Sequence, residues 1–326
     1  MTQSSTSTLP RRKLGQNGPE VPVLAFGSWN TWDRMEREDA LAVLDAAISS
    51  GATFFDVAHY NMGPHAENAR TDIIFGELVR ELGLRREQWQ ICGKLWLWDY
   101  PRTSFRQQME TSLERIGIEK ADMIVVGDYL EPLDIRQVVT DMAEQIEAGH
   151  FDHWGVNNWH IEDLRTALDF AAAEGLTPPC FAQLKYGPAR RSMAEGPHYA
   201  PLFERGLGLQ ASDVFEGGVL LGTRAPQRKI GADVGGIREQ ILAAAPQLAA
   251  AAARLGASPA QLAIAFCLAH PAVGNVLVGT SRMSQLRDNL GAVEVLEQVG
   301  ADTVRAELAS LRADRGVPSD GTFPAP

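Results

Sequence analysis

Gly51–Leu95 reads GATFFDVAHYNMGPHAENARTDIIFGELVRELGLRREQWQICGKL. Thr53–Asp56 is a short apolar run with the character of a strand buried on both faces. Asn68–Leu82 then carries apolar residues at helical spacing, and Gly83 follows, free to take the positive φ that ends a helix. Trp89–Lys94 is a second short apolar run. A strand, a crossover helix and a second strand make one step of a parallel sheet.

The same step recurs along the chain. Strands are predicted at Val21–Ala25, Thr53–Asp56, Trp89–Lys94, Met123–Val126, Trp154–Asn157, Phe181–Leu184, Leu207–Ser212 and Asn275–Gly279. Helices are predicted at Arg37–Ser50, Asn68–Leu82, Ser104–Ile116, Ile135–Ala148, Ile161–Ala173, Tyr199–Glu204, Ile237–Leu255 and Ser258–Leu268. Gly51, Gly83, Gly117, Gly149 and Gly175 follow helical runs as stop signals, and Ser258 before Pro259 reads as an N-cap. Pro246 is expected to start a new helix or to kink the one running in from Ile237. Eight repeats of strand then helix predict a closed α/β barrel of the (β/α)8, or TIM, type. No linker divides the chain, so one domain is expected over residues 11–313, with tails at 1–10 and 314–326.

Composition narrows the function classes. Of 326 residues, 45% are apolar and 22% charged, as in globular chains. The net charge of −11 has the wrong sign for neutralising phosphates, which argues against nucleic acid as partner. Apolar stretches such as Ile241–Ala253 fall short of the roughly 20 residues of a bilayer span, and no signal-peptide core is seen, so a cytoplasmic protein is expected. Cys92, Cys180 and Cys267 are too widely spaced for a disulfide framework or a zinc knuckle; no metal is expected, and they read as small buried hydrophobes.

In a barrel of this kind chemistry gathers at the C-terminal ends of the strands. Asp56 ends the second predicted strand, Tyr60 follows in the loop, and Lys94 ends the third. A lysine kept charged by a carboxylate favours the phenolate of a nearby tyrosine, so this grouping predicts a lowered Tyr60 pKa and a general acid near neutral pH.

Seven segments in order resemble the aldo-keto reductases, nicotinamide-dependent carbonyl reductases built on this barrel. They are LGQNGPEVPVLAFGSWN at the start, GATFFDVAHY, ICGKL, SLERIGIEKADMIVV, GVNNW, AQLKYG and LVGTSRMSQLRDNLGA, covering the chain from Leu14 to Ala292. The resemblance implies Tyr60 as proton donor to the carbonyl oxygen, with Lys94, held by Asp56, lowering its pKa. It implies that Asn158 and Gln183 grip a nicotinamide carboxamide, and that Ser281, Arg282, Gln285 and Asn289 bind the adenosine end. A hydroxyl and a cation at Ser281 and Arg282 suit a 2′-phosphate, so the implied cofactor is NADP(H) rather than NAD(H). The implied substrate is a small carbonyl compound or its alcohol, a keto-sugar included.

The departures are informative. The family's catalytic histidine after the fourth strand falls at Gly127, and losing such a donor is expected to cost roughly 3 kcal/mol, about two orders of magnitude in rate. His59 and His65 are the candidates to replace it. Tyr60 follows Asp56 by four residues where the family has about five, which would give Asn61 the strict register. Ser212 stands where many relatives place an aromatic against the nicotinamide. Trp29, Trp32, Trp96, Trp98 and Trp159 fall near predicted strand ends and suit an aromatic substrate wall, with His59, Gly127, Asp128 and Tyr129 beside them. Two alternatives follow from Gly127. One is a cofactor-binding redox sensor or subunit with slow turnover, like the potassium-channel β subunits that share this barrel; the other is altered chemistry on the same scaffold.

Overall fold

A computed structural model of the chain describes residues 9–63, 66–67, 69–127, 129, 132–226 and 229–321. An antiparallel hairpin of β1 (Arg11–Lys13) and β2 (Glu20–Pro22) opens the fold. The barrel strands follow as β3 (Leu24–Gly27), β4 (Phe54–Asp56), β5 (Gln90–Leu95), β6 (Met123–Val126), β7 (His153–Asn157), β8 (Phe181–Lys185), β9 (Gly208–Ser212) and β10 (Val273–Val278). All are parallel, and β10 pairs with β3 to close the barrel. This is the predicted (β/α)8 architecture, with one revision. Val21–Ala25 is two elements, because the chain turns at Val23 from the hairpin into the first barrel strand.

The helices named in order are α1 (Arg37–Ser49), α2 (Thr71–Glu81), α3 (Phe105–Ile116), α4 (Ile135–Glu147), α5 (Ile161–Glu174), α6 (Ala200–Glu204), α7 (Arg238–Arg254), α8 (Pro259–Leu268), α9 (Met283–Leu290), α10 (Ala292–Val299) and α11 (Ala301–Glu307). The five predicted stop glycines all have φ between 63° and 84°. Ser258 caps α8, its hydroxyl accepting from Gln261 N at 3.1 Å. α7 runs through Pro246 as one helix. The missing N–H removes one hydrogen bond, while Ile241, Ala244, Leu248, Ala251 and Ala252 bury a continuous face that holds the segment helical.

The strands divide the barrel interior into two levels. At the N-terminal end Ala25, Phe54, Cys92, Met123 and Phe181 form an apolar floor, sealed by Leu14 and Val21 of the hairpin segment. Gly155 is required here, since a Cβ would lie 2.5 Å from the Phe181 ring. All three cysteines are buried, and burial pushes their thiols up, Cys180 to about 12. Two residues further along three of these strands the residues are polar, Asp56 after Phe54, Lys94 after Cys92 and Gln183 after Phe181, which puts polar side chains toward the C-terminal end.

The C-terminal stretch expected as a tail from 314 is anchored over its described part. Asp314 is fully buried and accepts from Arg191 N at 2.6 Å, and Ile161 N donates to Asp320 O at 2.7 Å. A buried carboxylate receiving backbone donors was not separable by composition from a polar tail. Among the described residues no single helix is long and apolar enough to cross a membrane.

Candidate active site

Asp56 closes β4 and is 3% exposed; Lys94 lies on β5 and Gln183 on β8. Gln183 stands between the two charges. Lys94 Nζ donates to Gln183 Oε1 at 3.2 Å, and Gln183 Nε2 donates to Asp56 Oδ2 at 2.9 Å. Asn157 Nδ2 donates to Gln183 Oε1 at 3.0 Å, and Gln183 Nε2 also donates to Gln210 Oε1 at 2.6 Å. Gln210 Nε2 in turn donates to Asn275 Oδ1 at 2.9 Å. Gln210 and Asn275 are fully buried, and Asn275 Nδ2 has no partner among the described residues. Leaving such a donor unmet costs about 1–3 kcal/mol. Gln210 and Asn275 were not singled out from the sequence; their signal is polar residues at inward positions of strands that otherwise read as apolar.

This geometry alters two expectations. Gln183, expected to face a nicotinamide, has both ends of its carboxamide engaged by protein. Lys94 reaches Gln183, with Asp56 on the other side of that amide.

Tyr60 is 4% exposed and hydrogen-bonds Ser28, while the neighbouring Asn61 is exposed. The phenol thus faces inward despite the four-residue spacing. Its ring lies between Trp29 and Trp96, with centroids 6.2 and 5.8 Å away. Its pKa runs opposite to the expectation. Burial pushes it well above the ordinary phenol value, Asp56 adds to the rise, and the Ser28 hydrogen bond only partly opposes it.

Trp96 organises the wall. Its backbone N–H bonds Gln108 Oε1 at 2.8 Å, and its indole N–H bonds His59 O at 2.9 Å. Lys94 Nζ sits 5.4 Å from its ring centroid, within cation–π range. A Cβ built on Gly127 would lie 3.0 Å from Trp96 Cε3 and 3.3 Å from Leu95 O. The edge of the indole crowds the position that a Cβ at 127 would take.

The five tryptophans separate into two groups. Trp29, Trp96 and Trp98 cluster with Ala58, Tyr60 and Met62. Trp32 packs on Phe55 and Phe75 within the main core, and Trp159 is fully buried, its indole donating to Gly127 O at 3.0 Å. Those two belong to the main core cluster rather than to the group around Tyr60. Tyr129 packs edge-on to Trp159 and donates to Asp163 on α5. His59 lines a small cavity of about 70 Å³ with Lys94, Trp96, Thr103 and Gln108. Burial first, and Arg115 second, lower its pKa, so it is neutral at neutral pH. Asp128 and His65 lie outside the described residues.

On the opposite side of the mouth, Asn158 has a left-handed backbone (φ 51°), a conformation asparagine tolerates, and its Oδ1 accepts from Lys185 N at 3.2 Å. Ser212 ends β9 beside Lys185. After β10, Gln285 Oε1 accepts from Ser281 N at 3.1 Å, and Asn289 Nδ2 bonds Thr280 Oγ1 at 3.0 Å. Arg282 precedes α9 and is exposed, with no protein partner among the described residues. A guanidinium with no protein partner among the described residues, beside an ordered hydroxyl, fits a phosphate, and Gln285 and Asn289, expected at the adenosine end, also brace the segment.

Comparison with known proteins agrees with this architecture. The profile of the Aldo/keto reductase family matches residues 23–305. Two plant proteins, each described as a probable voltage-gated potassium channel subunit beta, are similar over nearly the whole length. The one from Arabidopsis thaliana is 28% identical, covering 87% of this chain and 91% of its own, and the one from Oryza sativa subsp. japonica is 27% identical, covering 90% and 94%. A crystal structure of a thermostable aldo-keto reductase bound to the inhibitor epalrestat superposes with a TM-score of 0.71 at 23% identity, over 93% of this chain and 100% of that one. A family match over most of the chain, on a closed parallel barrel of eight strands, means that this protein belongs to the aldo/keto reductase family.

Proposed function

We propose that the protein is an NADP(H)-dependent oxidoreductase that interconverts an aldehyde, ketone or keto-sugar and its alcohol. The observation that carries this reading is the buried Tyr60 phenol, flanked by Trp29 and Trp96 beside Lys94 and Asp56. A phenol carries its proton at neutral pH and can pass it to a carbonyl oxygen as negative charge develops there. When bound, the reduced nicotinamide supplies a hydride to the carbonyl carbon. Tyr60 gives its proton to the oxygen and regains one from solvent, so one carbonyl becomes one alcohol. Lys94 and Asp56 fix the charges around the site through Gln183. Arg282 and Ser281 would hold the adenosine phosphate, and the amide nitrogen of Asn158 the carboxamide; Ser212 leaves the ring without an aromatic platform. Trp29, Trp96 and Trp98 favour an aromatic or otherwise flat apolar substrate.

The test is single-turnover oxidation of protein-bound NADPH by a reactive aromatic aldehyde. Tyr60→Phe is expected to slow it at least about 100-fold, the usual contribution of a general acid. Full activity in that variant sinks the assignment of Tyr60.

A second reading, a redox-sensing subunit with slow turnover, is favoured by Gly127. Glycine at 127 has no side chain to donate to the substrate, Trp96 crowds that position, and two relatives are described as channel subunits. It predicts tight NADPH binding without appreciable turnover.

A further inference from the structure

We infer that Gln210 and Asn275, deep inside the barrel, are positioning residues for Lys94 and Asp56, acting through an amide relay that fixes the orientation of Gln183. The inference rests on the reductase reading for its functional consequence, but its structural content is independent.

The polarity of the relay is set by charge. An ammonium can only donate, so Gln183 must turn its oxygen to Lys94; a carboxylate can only accept, so Gln183 must turn its nitrogen to Asp56. The second proton of that nitrogen then needs an acceptor, which Gln210 Oε1 provides at 2.6 Å. With its oxygen committed to Gln183, Gln210 presents its nitrogen to Asn275 Oδ1 at 2.9 Å. Asn275 thereby ends with its own nitrogen unpartnered. A flip of any one amide would set donor against donor or acceptor against acceptor along the line. The unmet donor is therefore placed at the end furthest from the charges, while every polar atom of Gln183 is satisfied. Apolar residues at 210 and 275 would avoid that orphan, so stability alone does not account for the arrangement. Holding Gln183 between Lys94 and Asp56 does.

The experiment is proton exchange at the Gln183 side-chain amide, followed by NMR in the protein without cofactor, alongside steady-state kinetics. In the wild type both Nε2 protons are bonded, and slow exchange is expected; fast exchange there overturns the relay. Gln210→Met, nearly equal in volume, removes the acceptor. It is expected to speed exchange at least about tenfold and to lower kcat about tenfold, with the KM for the carbonyl within about twofold, since the loss is of orientation rather than of binding. Asn275→Leu acts one link further away and is expected to do the same more weakly, serving also if Gln210→Met does not fold. Asn275→Asp keeps the acceptor toward Gln210 and is expected to retain slow exchange. Unchanged exchange in Gln210→Met, or faster exchange with unchanged kcat, overturns the proposal. Failure of the reductase reading shows up separately, as wild-type protein that binds NADPH without turnover or as full activity in Tyr60→Phe.

Discussion

Phe54 and Asp56 stand two residues apart on one strand, as do Cys92 and Lys94 on the next and Phe181 and Gln183 on a third. The first of each pair belongs to the apolar floor, the second to the polar level above it. The floor is held by packing alone and has no orientation to defend. The upper level is held by directed hydrogen bonds, and ends in a buried donor with no acceptor among the described residues. The contrast sets a level stabilised by apolar burial against one that carries the cost of a buried unmet donor.

Four changes would break or sharpen this contrast. The largest effect is expected from Phe54→Ala, which opens the floor and should cost about 3–5 kcal/mol in denaturant unfolding, with little change in turnover per folded molecule. A large loss of turnover in fully folded protein would mean that floor and site are not separate. Next, Gly127→Ala drives a methyl group against Trp96 and should cost about 1–3 kcal/mol. Trp96→Phe in the same chain should return part of it, and strict additivity of the two would show that the ring is not what fills the space. Arg282→Ala should weaken NADPH binding about tenfold and leave NADH unaffected, as loss of a charge-assisted phosphate contact requires. Equal effects on both cofactors would place the phosphate elsewhere.

The smallest effect concerns pH. His59 has its pKa lowered in the folded state, so the unfolded chain binds more protons at acidic pH. Its contribution is present above about pH 6.5, the unfolded value, and is lost as pH falls below it. His59→Gln should therefore reduce the drop in thermal midpoint between neutral and mildly acidic pH. A drop that stays the same or grows would assign the acid sensitivity to other groups, His153 and His270 among them, whose pKa values are also lowered by burial.

Much of the barrel was readable from periodicity. Met123–Val126 is a strand with the predicted limits, and α3, α4 and α5 begin within one residue of expectation, because caps and stop glycines are local signals. The stretch after β10 was not read as helical, yet α9, α10 and α11 form there; they are short, and packing against α8 and one another supports them. Of the candidate site, the positions of Asp56, Tyr60 and Lys94 on the C-terminal rim were legible because each lies at or just beyond a strand end. Trp32 and Trp159 share that position but lie in the core, since nearness to a strand end in sequence does not say which way a ring turns.

By itself the sequence determined the strand–helix repeat, the closure into one barrel and the rim on which ionisable groups gather, because these depend on local propensity and on spacing along the chain. Only the tertiary structure decided that Gln183 separates Lys94 from Asp56, that Trp96 fills the space beside Gly127, and that the pKa of Tyr60 rises rather than falls. Those outcomes depend on which side chains meet across the barrel, and on how far water is excluded there. Both are set by contacts between residues far apart in sequence.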